Sequence, residues 1–95
     1  MLAGNEIPEM KIKNAITIDI STKASPTAVG LTMTITVTPG SGAVLIYSPR
    51  ATDSVRFNGP QDTKEVPIEG PTIWAQLIEG TKEFHIEFGG WTDSI

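Results

Sequence analysis

The sequence predicts an all-β fold: a small antiparallel β-sandwich or barrel of about seven strands, of the jelly-roll or immunoglobulin-like kind. Three observations carry that expectation. Apolar residues recur at every second position along much of the chain, the pattern of strands that bury one face. Gly, Pro and Asn break the chain at roughly eight- to twelve-residue intervals. No stretch keeps an apolar face at i, i+3, i+4 and i+7 without a Gly or Pro interrupting it. Length sets the scale: 95 residues bury about 64% of their unfolded surface on area scaling, enough for one core and too little for a two-domain enzyme.

The elements follow in order. Residues 1–9 read as an N-terminal arm and residues 10–95 as a single β-sandwich domain. In the arm, Gly4, Asn5 and Pro8 disfavour regular structure, while Leu2 and Ile7 are apolar and suited to docking on a neighbour. Met10, Ile12, Ile16, Ile18 and Ile20 then share one parity. Asn14 interrupts that face and Ala15 lies opposite it, which implies a bulge or two consecutive short strands. Residues 31–38 alternate strictly between apolar residues and threonine, giving one greasy and one hydroxyl face.

Pro39-Gly40-Ser41-Gly42 is a tight loop leading into Ala43–Tyr47, apolar throughout and so expected to be a central strand buried on both faces. Residues 54–57 alternate and stop at the Asn58-Gly59-Pro60 turn. Residues 64–68 form only an edge strand, because Pro67 has no N–H to donate. Residues 72–78 and 82–88, joined at Glu79-Gly80, form the strongest hairpin expectation, with Phe84, Ile86 and Phe88 inward.

Charge and composition exclude several function classes. Seven Lys+Arg against eleven Asp+Glu give a net charge of −4, and the acidic excess lies in residues 51–95. No basic cluster offers the counterion release that nucleic-acid binding needs. The absence of cysteine removes disulfide frameworks, thiolate metal sites and thiol catalysis. No apolar run approaches a membrane span, and the N-terminus lacks the basic and apolar regions of a signal peptide. Neither nucleic acid nor membrane is therefore an expected partner.

Chemistry-bearing residues are sparse. His85 is the sole histidine, so any nucleophilic triad must combine it with Ser48 or Ser54 and with Asp53 or Asp62, and no nucleophile-elbow context surrounds those serines. By parity, His85 belongs to a solvated strand face. Glu83 and Glu87 flank it on that face, at a spacing a glycosidase pair tolerates, yet a sugar-shaped cleft is not expected of so small a sandwich. The Gly40-x-Gly42 pair lacks the third glycine and following helix of a phosphate cradle. No catalytic residue, cofactor or metal is expected. Trp74 shares its parity with Gln76 and Ile78, either on the second side of a buried strand or on a contact surface. Trp91 follows Gly89-Gly90 and either caps the core or is exposed. Tryptophan favours protein interfaces and sugar-stacking platforms, so Leu2, Ile7, Trp74 and Trp91 are the candidate partner-binding residues.

A Thr-rich, cysteine-free chain that closes with Glu69-Gly70-Pro71-Thr72-Ile73-Trp74-Ala75, then Gly80-Thr81 and Phe84-His85-Ile86-Glu87-Phe88, resembles the small all-β virion proteins of tailed bacteriophages. The resemblance covers about a third of the chain. It implies a capsid cement or decoration protein that clamps neighbouring capsid subunits and works without catalysis. It also implies a homo-oligomer, a trimer in many such proteins, bound to the major capsid protein or another virion protein after assembly in a host cytoplasm. The rival readings are a tail, baseplate or receptor-binding module holding carbohydrate through its aromatic residues, and a small hydrolase built around His85.

Overall fold

A computed structural model describes residues 15–50 and 52–93. These form seven strands and no helix, arranged as two antiparallel sheets. The strands are β1 (Ile16–Asp19), β2 (Ala28–Thr38), β3 (Ala43–Tyr47), β4 (Val55–Asn58), β5 (Gln61–Pro67), β6 (Thr72–Ile78) and β7 (Glu83–Asp93). One sheet has four strands in the order β1-β6-β3-β4, and the other has three in the order β5-β2-β7. The all-β sandwich expected from the alternation is thus the observed fold. Leu2, Ile7, Met10, Ile12 and Asn14 lie outside the described residues.

Period two decides which residues enter the core. Leu31, Met33, Ile35 and Val37 of β2 are buried, and the intervening threonines point outward. Val44 and Ile46 of β3, Phe57 of β4, Val66 of β5, and Ile73 and Ala75 of β6 complete the layer between the sheets. Ile20 and Ile68, just beyond strand ends, close one end of that core. Phe84, Ile86 and Phe88 face inward as expected, although as members of an outermost strand they are only half-buried. The expectation that β3 is buried on both faces holds only in part. Ala43 is fully buried, but Leu45 and Tyr47 are half-exposed because no described element covers that side.

Among the described residues, only β3 and β4 are joined in sequence and paired in space. The expected hairpin of β6 with β7 does not form: β6 pairs with β1 and β3, and β7 pairs with β2. The turn itself is of the hairpin kind, with Glu79 and Gly80 both at positive φ and the Thr81 N–H bonded to the Ile78 carbonyl at 3.1 Å. The next bonds redirect the chain. The Thr81 hydroxyl accepts from the Ala43 N–H at 2.8 Å, and the Lys82 N–H donates to the Thr38 carbonyl at 2.8 Å. They anchor the turn beside β3 and deliver β7 to β2 in the opposite sheet.

The two flanks of the sandwich differ. At one, β4 and β5 meet: Lys64 Nζ reaches the Arg56 carbonyl at 2.5 Å, and the Asn58 N–H donates to Asp62 Oδ2 at 3.1 Å. Pro67 sits on this side, on edge strand β5, as its missing N–H requires. The other flank has β1 at the edge of one sheet and β7 at the edge of the other, with no ladder between them among the described residues. Two close-packed turns cap the connections beside the closed flank. The Gly59 N–H donates to the Gly42 carbonyl at 2.9 Å, and a Cβ on Gly59 would strike the Gly40 carbonyl, so only glycine fits there.

Candidate partner-binding surfaces

The outer face of the four-stranded sheet gathers apolar and aromatic groups. Residues directly opposite in an antiparallel ladder share a face, so register places Trp74 beside Tyr47 on one side and Thr17 on the other. Gln76 lies opposite Leu45, and Ile78 opposite Ala43. The Tyr47 hydroxyl donates to Gln76 Oε1 at 3.1 Å, which fixes both side chains. Trp74 is half-buried, and its indole Nε1 is buried without a hydrogen-bond partner. An indole N–H left in that state costs on the order of 1–3 kcal/mol. Arg56 and Asn58 form the polar margin toward β4. Trp74 therefore occupies the outward position its parity indicates, on a mixed apolar surface.

Trp91 is elsewhere. It lies opposite Leu31, on the core-facing side of β7, yet is 49% exposed because β7 is an edge strand. An irregularity between the Leu31–Trp91 and Met33–Phe88 pairs inserts one extra residue at Gly89-Gly90 and resets the parity. The two tryptophans belong to different sheets and do not form one surface. Among the described residues, Ile16 on β1 is the other large apolar side chain that is substantially exposed, at 42%. Residues that sequence reading did not select are Leu45 and Tyr47, which it expected to be buried, and Lys23, whose Nζ lies 5.8 Å from the centre of the Phe88 ring.

The titratable groups are dispersed. His85 is on the outer face of the three-stranded sheet, its Nε2 3.5 Å from Glu87 Oε2, with both side chains more than 70% exposed. Ser48 and Ser54 border strands of the other sheet, so the core separates them from His85. The Ser48 hydroxyl is buried and accepts from the Arg50 N–H at 3.1 Å, the bond of a local turn. Glu83 and Glu87 stand on a solvated strand face. Among the described residues, no three His, Asp or Glu side chains converge as metal ligands would. Gly40 and Gly42 belong to the turn packed on Gly59; the Gly42 N–H donates to the Pro39 carbonyl at 2.9 Å.

Two carboxyls are held below their ordinary value. At Asp62 the Asn58 backbone N–H is the main cause, with Lys64 adding a smaller attraction against some desolvation. At Asp19 the cause is the Ser21 N–H, 2.8 Å from Oδ1. Both bonds organise turns. A further pair, the Thr92 hydroxyl donating to Glu65 Oε2 at 2.7 Å, ties β7 to β5 across Gly30, which has no side chain between them.

No protein-family model, curated protein or solved structure matches this chain.

Proposed function

We propose that this chain is a non-enzymatic structural protein of a tailed-phage virion, a capsid cement or decoration protein that binds and stabilises the capsid lattice. One observation carries the reading of a binding module. The outer sheet face, which in an isolated sandwich is ordinarily solvated, instead presents Leu45, Tyr47, Trp74 and Ile78 in adjacent rows. Aromatic anchors of this kind dominate protein interfaces. The virion assignment rests on the closing segment, residues 69–88, whose resemblance to phage virion proteins falls on β6, its turn and the start of β7.

Two comparisons test this reading. A protein inventory of purified particles is expected to contain the chain at a copy number matched to the capsid lattice. Purified protein is expected to co-sediment with undecorated particles, and Trp74→Ala to weaken that attachment by about tenfold or more, as for an interface anchor. Deleting residues 1–8 is expected to leave the β-sheet spectrum unchanged and to reduce attachment. Absence from particles and failure to co-sediment would overturn the cement reading.

The same surface favours one alternative, a tail or receptor-binding module that stacks a sugar on Trp74 and Tyr47, with Gln76 as a polar handle. Glycan-dependent change in tryptophan fluorescence, lost in Trp74→Phe, would select it over cement.

A further inference from the structure

Among the described residues no strand pairs with the outer edge of β7; that edge is self-complementary about a two-fold axis at Ile86, and we propose that it pairs with the same edge of a second copy, joining two three-stranded sheets into a continuous six-stranded one. The two ladders of β2 determine which groups the edge offers. On β2, the Val37 N–H donates to the Pro60 carbonyl, and the Val29 carbonyl accepts from the Ile68 N–H, so odd-numbered β2 residues turn their backbone groups toward β5. Even-numbered residues therefore bond β7, and the register Thr38–Glu83, Thr36–His85 and Thr34–Glu87 identifies their partners. The N–H and C=O groups of Phe84, Ile86 and Phe88 consequently point away from β2, to a side where no described strand lies. That edge borders an open depression of about 480 Å³ lined by His85, Ile86, Glu87, Phe88 and Lys23.

Placing a two-fold axis at Ile86 makes Phe84, Ile86 and Phe88 hydrogen-bonded partners of Phe88, Ile86 and Phe84 of the second copy. On the outer face, this register sets each His85 opposite a Glu87, and each Glu83 opposite Gly89. An imidazole then faces a carboxylate twice, in the closer non-hydrogen-bonded positions of the ladder. On the inner face, phenylalanine meets phenylalanine and isoleucine meets isoleucine. Moving the axis by one residue, to His85, sets Glu83 against Glu87 twice and His85 against itself, so charge favours the first register over that one; an axis at Phe84 also sets Glu83 against His85 but pairs only residues 83–85 of the strand. The contact is two-fold, and it pairs copies rather than closing the trimer the resemblance implies. It lies on a different sheet from Trp74 and does not rest on the proposed virion role.

Charge swapping in the full chain tests it, because His85 and Glu87 are solvent-exposed and their exchange leaves the core intact. Sedimentation equilibrium is expected to show a monomer–dimer equilibrium. His85→Glu is expected to raise the dimer dissociation constant about tenfold or more by placing like charges opposite each other twice. The double variant His85→Glu/Glu87→His restores the imidazole–carboxylate pairing and is expected to bring association back toward wild type. Hydrogen exchange at the Phe84, Ile86 and Phe88 amides is expected to slow as protein concentration rises, while the Glu83, His85 and Glu87 amides stay protected throughout. A wild-type monomer up to about 1 mM, or a dimer indifferent to His85→Glu, would overturn the proposal. So would concentration-independent protection of the Phe84, Ile86 and Phe88 amides, which would mean that another part of the chain covers the edge.

Discussion

Asp62 shows how a single half-buried residue is tied to the fold by proton linkage. Its carboxylate accepts the Asn58 N–H across the β4–β5 turn and lies 3.5 Å from Lys64 Nζ, which itself reaches back to the Arg56 carbonyl. The bond to Asn58 favours the ionised form, so the folded carboxyl sits below its unfolded value. A depressed acid contributes stability that is fully present above the unfolded value and lost as pH falls through the folded one. The contribution is small, since the group is partly solvated and Lys64 is 41% exposed. Asp62→Asn is therefore expected to lower the melting temperature slightly at about pH 6, and the gap to wild type should shrink toward about pH 3. Thermal melts at the two pH values check this; a gap that widens on acidification would contradict the assigned sign.

At the scale of elements, Thr81 is what separates the observed topology from a hairpin. Its hydroxyl accepts from the Ala43 N–H and lies 2.9 Å from the Ala43 carbonyl and 2.7 Å from the Ile78 carbonyl. One side chain thus binds the end of β6 to the start of β3 at the point where the chain leaves for the other sheet. Thr81→Val keeps the shape but leaves the partly buried Ala43 N–H without its acceptor, and is expected to cost about 1–3 kcal/mol. Thr81→Ser keeps the oxygen and should lose less. Denaturant titration measures both, and a valine variant as stable as wild type would remove the hydroxyl from this account. The strands themselves were legible because period two marks a strand wherever one face is buried, as at β2 and β6. Their partners were not. Glu79-Gly80 forms the turn a hairpin uses, but turn type says nothing about which sheet the next strand joins. Likewise the parity of Trp74 could be read along an unbroken strand, whereas that of Trp91 could not, because the irregularity at Gly89-Gly90 shifts the alternation before it is reached.

At the scale of the whole molecule, the sandwich presents three distinct surfaces. One flank is closed by β4 and β5, no described strand covers β7 at the other, and the outer face of the four-stranded sheet carries the aromatic surface. The two tryptophans report on two of these regions independently. Trp74 is held among Tyr47, Thr17 and their neighbours with its indole nitrogen buried, while Trp91 on the β7 flank is 49% exposed. A neutral quencher reaches an indole in proportion to its exposure, so Trp74→Phe protein, which emits from Trp91, should be quenched by acrylamide more steeply than Trp91→Phe protein. Binding at the aromatic face should protect Trp74 and leave Trp91 accessible; pairing of β7 edges should protect Trp91 less than the Phe84, Ile86 and Phe88 amides, since it lies beyond the bulge and outside the paired segment. Equal quenching of the two single-tryptophan proteins would mean that Trp74 is as open as Trp91, and the outer face would then be a solvated surface rather than a packed recognition face.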